Sequence, residues 1–190
     1  MPLKLHLLFL RAQSWICLAL GLNDRAMACF EAMLKLRPGL PFALASRAHV
    51  NAQAGRHADA TADLQQLTRV EPEQAAHWFN LGYVLDGQGR AVEAIPAFEK
   101  ATQLNPKLDQ AWYGLGLALM QVQRLDEAIT ALKRNTELQP MSPYGWTQLA
   151  RAHARAEELP KAQKVVEHLR AFEPKVAEAL TRELKLDAAS

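Results

Sequence analysis

Apolar residues recur three and four apart along most of the chain, the spacing that lines one face of a helix. The stretch Ala75 to Lys107 shows it best, with Trp78, Leu81 and Leu85, then Ala94, Phe98, Ala101 and Leu104. Between the two runs lies Asp86-Gly87-Gln88-Gly89-Arg90. Its glycines can take the left-handed conformation that ends a helix. Asn105-Pro106 closes the second run, because a residue before proline avoids helical geometry. The pattern predicts helix, tight turn, helix, tight turn.

The same pattern repeats every 34 residues. Pro38, Pro72, Pro106, Pro140 and Pro174 form one column, and Ala26, Ala60, Ala94, Ala128 and Ala162 form a second, twelve residues earlier. Leu36, Val70, Leu104, Leu138 and Phe172 stand two residues before the prolines, and Leu10, Leu44, Trp78, Trp112 and Trp146 stand 28 before. A fixed period of this length means stacked, equal supersecondary units. Each unit touches only its neighbours, so the array counts as one elongated domain. The alanines sit early in each second helix, where only a small side chain permits close approach. Gly82 and Gly116, with Ser14, Ala48 and Ala150 in the same column, are expected to supply the matching surface. Pro96, about one turn into its helix, predicts a mild kink.

The motif Trp78-x2-Leu81-Gly82-x2-Leu85 followed by Ala94-x3-Phe98-x2-Ala101-x4-Pro106 resembles the tetratricopeptide repeat. Trp112-x2-Leu115-Gly116 with Ala128, Leu132 and Pro140 matches nearly as well. The resemblance implies an all-α, right-handed α-solenoid of five helix-turn-helix repeats plus a C-terminal capping helix. The array would occupy 1–174, in units near 7–40, 41–74, 75–108, 109–142 and 143–174, with the cap and a short tail at 175–190. Departures are local. Leu10 and Leu44 replace the tryptophan, Gln13 and Arg47 replace a leucine, and Asn135 replaces a small residue. Gln123 and Glu157 stand where the inter-helix glycine is expected.

Composition narrows the function. With 22 basic and 20 acidic side chains the net charge is +2, and the two signs alternate as on a solvated helix surface. Nucleic acid is not an expected partner, since its binders show a basic face or stripe. Cys17 and Cys29 both fall at apolar positions of the first repeat and read as buried free thiols, which suits a reducing, cytoplasmic setting. Met1 to Leu22 starts like an export signal, but His6 and Arg11 interrupt its apolar run and no cleavage site follows. No membrane span is expected either. After Pro174, Val176, Leu180 and Leu184 share one helical face, as a solvating cap requires; Leu186 to Ser190 reads as disordered. At the other end Leu3, Leu5, Leu7, Leu8 and Phe9 would expose apolar surface. Either that helix packs against a second copy, making a homodimer, or the array continues.

The resemblance implies that the first helix of each repeat lines a concave groove. Candidate peptide-binding residues on that face are Trp15, His49, Phe79, Tyr83, Tyr113, Met120, Tyr144, Arg151 and Arg155. Aromatics with a polar tip bury large area at low entropy cost, and a partner carboxylate would suit Arg151 and Arg155. The clamp that some tetratricopeptide proteins use for chaperone tails is absent in every frame; the first frame offers Arg11 with Trp15, Ser46, then Ala76 with Asn80. No two of the six histidines have the i,i+4 spacing of a helical metal site. His153 falls in a core column and reads as a hydrogen-bonded core histidine. Ser46 and His49 lie one turn apart but have no orienting carboxylate. Gly114-x-Gly116 lies within a helix and is no phosphate loop. Neither catalysis nor a cofactor is expected. Two readings stay open: a protein–protein interaction scaffold or adaptor, and a regulatory or targeting subunit of a larger enzyme assembly.

Overall fold

The computed structural model describes residues 2–186 and is all-helical among them. Eleven helices follow one another: α1 (Leu3–Ala19), α2 (Asn23–Leu36), α3 (Pro41–Gln53), α4 (His57–Val70), α5 (Ala75–Gly87), α6 (Ala91–Leu104), α7 (Asp109–Gln121), α8 (Leu125–Leu138), α9 (Pro143–Arg155), α10 (Leu159–Arg170) and α11 (Pro174–Glu183). Their contacts divide the chain into two compact units, Met1–Gln88 and Gly89–Ser190. Of the tail expected at 186–190, Leu186 is corrected, being buried at 5% exposure, and 187–190 lie outside the described residues.

Within Met1–Gln88 the core is made by Phe30, Met33, Leu44 and Leu67, all fully buried. Ala26 and Ala60 sit at 0% exposure on α2 and α4, as the small-residue column requires. In Gly89–Ser190 the core residues are Phe98, Leu132, Val166, Leu169 and Leu180. Here glycines set the helix spacing. A Cβ on Gly114 of α7 would lie 2.6 Å from the Phe98 ring of α6, and one on Gly116 would lie 2.6 Å from Leu132 of α8. Gly116 therefore opens room for the Leu132 side chain, and Ala128 on the same helix is fully buried. Helix α6 runs through Pro96 unbroken.

The turn after each first helix keeps one shape whatever residue occupies it. Gly21, Gly55 and Gly89 have φ of 70°, 72° and 72°, and Gln123 and Glu157, 34 and 68 residues after Gly89, have 61° and 60°. A side chain there meets the following carbonyl, so both non-glycine residues carry strain.

The proline column does more than end helices. The Trp78 indole N–H donates to the Pro72 carbonyl at 2.7 Å, Trp112 to Pro106 at 3.0 Å, and Trp146 to Pro140 at 2.8 Å. Each turn is thus pinned to the helix that follows it. Pro174 departs from the column: α10 ends at Arg170, and Pro174 opens α11. Proline suits a first helical turn, where its missing N–H has no acceptor to lose.

Candidate functional site

Of the predicted site residues, Trp15, His49, Phe79 and Tyr83 belong to Met1–Gln88. Trp15 of α1 is 60% exposed and stacks on Phe42 of α3, with centroids 6.5 Å apart and planes at 14°. The Arg11 guanidinium lies 4.5 Å over the same Phe42 ring. An apolar cavity of about 300 Å³ opens beside them, lined by Leu7, Leu8, Met33, Leu40 and Phe42, with Lys4 and Arg11 at its edge. His49 is exposed on α3. Phe79 and Tyr83, one turn apart on α5, meet with centroids at 6.2 Å; Phe79 is half-buried and Tyr83 is 67% exposed.

Phe42 is the residue that sequence reasoning missed. It lies three repeats before Tyr144, in the same column, and that register was enough to find it.

In Gly89–Ser190, Tyr113 of α7 is half-buried and Tyr144 of α9 is 72% exposed. Met120 is corrected: at 4% exposure it belongs to the core. Ala118, Leu119 and Met120 are buried in succession, which a one-faced helix cannot do. α7 packs against α6, α8 and α9, so its end is covered on more than one side.

Arg151 and Arg155 lie one turn apart on α9. Arg151 already holds a carboxylate: its Nε and Nη2 donate to Glu183 of α11 at 2.8 and 2.7 Å. That bond raises the Arg151 pKa and holds the Glu183 carboxyl below the usual carboxylate range. Arg155 is exposed.

A second arginine clasp is internal to the second repeat. Arg47 of α3 donates to Asp63 of α4 through Nε at 2.9 Å and Nη2 at 2.6 Å, and the Asp63 side chain is 5% exposed. The repeat pattern marks Arg47 as a departure but not its partner. Asp63 occupies the position that Ala131 fills two repeats later, so the two departures compensate each other.

The remaining chemistry is structural. His153 is 3% exposed and its Nδ1 lies 2.6 Å from Glu158 Oε2, the satisfied core histidine that the sequence implies. Lys161 and then His153 hold the Glu158 carboxyl below its ordinary range. Cys17 and Cys29 are buried free thiols; burial first, then the neighbouring Cys17, pushes the Cys29 thiol up. Among the described residues no three His, Cys, Asp or Glu side chains group as metal ligands. No described helix is long and apolar enough to cross a membrane.

Two family models, each described as tetratricopeptide repeat, match residues 46–109 and 87–148. Among solved structures, the MamA protein matches with a TM-score of 0.84 at 21% identity, over 91% of this chain and 94% of that one. YrrB, described as a tetratricopeptide protein with an unusual peptide-binding site, matches with a TM-score of 0.81 at 21% identity, over 90% of this chain and 88% of that one. A tetratricopeptide repeat protein from Parabacteroides merdae matches at 0.82 and 15% identity, over 94% and 72%. None of the curated proteins matches the chain.

Proposed function

The chain belongs to the tetratricopeptide repeat family, and from that premise we propose that it is a protein–protein interaction scaffold whose first-helix faces bind a peptide segment of a partner. The observation that carries this is the repeated exposure of large rings on those helices. Trp15, Tyr83 and Tyr144 are 60%, 67% and 72% exposed, and none is needed to fill a core. Rigid aromatic side chains left in solvent are unfavourable for a free protein and useful to a bound one. YrrB, which shares the fold, is described as a peptide binder, and this supports the reading without naming the partner.

Each unit carries its own candidate face: Trp15, Phe42, His49, Phe79 and Tyr83 in Met1–Gln88, and Tyr113, Tyr144, Arg151 and Arg155 in Gly89–Ser190. Helix α1 adds a second surface: Leu3, Leu5, Leu8, Phe9 and Ile16 are 51–61% exposed, and a second copy of the chain is the cover we assign to them. A monomeric mass by light scattering at micromolar concentration removes the dimer. The two buried thiols suit the reducing cytoplasm.

The test of the peptide-binding reading is capture from native extract followed by mass spectrometry. Tyr83→Ala with Tyr144→Ala touches no core residue, so the variant keeps the wild-type unfolding midpoint. It is expected to lose the proteins that the wild type retains. Equal capture by both overturns the reading.

A further inference from the structure

Glu183 shows how the face of Gly89–Ser190 holds a carboxylate. It is the last residue of α11, and both its oxygens accept from Arg151, in the fork geometry that guanidinium and carboxylate share. Arg151 occupies the repeat column of Trp15, His49 and Tyr83, the candidate binding residues. Tyr113 of α7 lies close to the Arg151 guanidinium. The Arg151 and Glu183 side chains are 34% and 47% exposed, so water and a competing anion can reach both.

The surroundings are cationic. An open cavity of about 580 Å³ adjoins the pair, lined by Arg151, Arg155 and Lys185 against the single carboxylate of Glu183, with Gln148 beside them. Release of Glu183 would leave three cations facing solvent. It would not undock the cap, because Ala177 and Leu180 bury α11 at 0% and 2% exposure.

We infer that this site takes a carboxylate-bearing peptide from a partner, and that Glu183 is a tethered stand-in which the incoming carboxylate displaces from Arg151. The inference rests on the peptide-binding reading above and adds the chemistry of the ligand. It also gives α11 a second role, since the cap that solvates the last repeat sets the affinity of the site. Exposed ion pairs hold weakly, so the tethered carboxylate lowers affinity by about two- to fivefold and does not close the site.

The test uses fluorescence anisotropy with a fluorescein-labelled peptide of alternating Phe and Glu, and a control with Gln in place of each Glu. The wild type is expected to bind the acidic peptide more tightly than the neutral one. Glu183→Gln should raise affinity for the acidic peptide by about two- to fivefold and leave the neutral peptide unchanged. Arg151→Gln should bring the acidic peptide down to the level of the neutral one, and Arg151→Lys should restore part of the preference. Unchanged or weaker acidic-peptide binding by Glu183→Gln overturns the stand-in role. Equal binding of both peptides by the wild type overturns the inference and leaves the aromatic binding face standing. Binding of neither overturns both.

Discussion

In Met1–Gln88 the cross-helix arginine clasp buries its carboxylate, for the Asp63 side chain is 5% exposed while Arg47 keeps 27%. In Gly89–Ser190 it lies at the surface, between Arg151 and a Glu183 side chain that is 47% exposed. The distances are alike, 2.6 and 2.9 Å in one and 2.7 and 2.8 Å in the other. Burial separates their roles. A carboxylate taken out of water cannot let go of its partner without a large desolvation cost, so Arg47–Asp63 is a fixed part of the fold. A carboxylate left in water can exchange, as the proposed displacement of Glu183 from Arg151 requires. The apolar equivalent of the first clasp exists in the fourth repeat, where Leu115 and Ala131 hold the same positions at 6% and 2% exposure. The charged version is therefore not required by the architecture.

The largest expected effect comes from breaking the internal clasp on one side. Arg47→Leu leaves Asp63 buried without its partner and should lower stability by about 3–5 kcal/mol in urea unfolding. Adding Asp63→Ala converts the second repeat to the fourth repeat's pair. The double variant should return to the wild-type value or exceed it by about 1–4 kcal/mol. If Arg47→Leu alone were harmless, the clasp would not be structural.

The two units also differ at their turns: Gly21 and Gly55 meet the left-handed backbone in one, whereas in the other Gln123 and Glu157 join Gly89 there. Gln123→Gly removes the Cβ from that strain and should stabilise by about 1 kcal/mol. The smallest change is expected at the surface clasp. Arg151→Gln should cost under about 1 kcal/mol, because exposed pairs are screened. Its signature is acid dependence. The folded Glu183 carboxyl sits below its ordinary range, so the pair's contribution is complete above about pH 4.3 and fades as the pH falls through the lower folded value. Arg151→Gln should lose that fading and flatten the acid side of the stability curve.

Much of this was legible in the columns. Leu44, Trp78 and the alanines at 26, 60, 94, 128 and 162 fix the helical pairs, and Gln123 and Glu157 were visible as occupants of a glycine position. A column gives the place of a residue in its repeat but not its neighbour on the next helix. Arg47 therefore stood out while Asp63 did not, and the seat of the Leu132 side chain against Gly116 was not visible either. The indole bonds to the proline carbonyls were hidden for the same reason. Met120 was misplaced because a projection of one helix cannot show how many others cover its end. Glu183 was invisible as a site residue, since it lies beyond the last repeat and no earlier residue shares its role.

On the proposed function, partners are held on the first-helix faces. A photoreactive benzophenone amino acid placed at Tyr83 or Tyr144 should crosslink a partner from native extract. The same group at Gln66 of α4 or Lys133 of α8, exposed positions on second helices, should crosslink none. Crosslinks of equal yield from Gln66 or Lys133, with silence at Tyr83 and Tyr144, would contradict it.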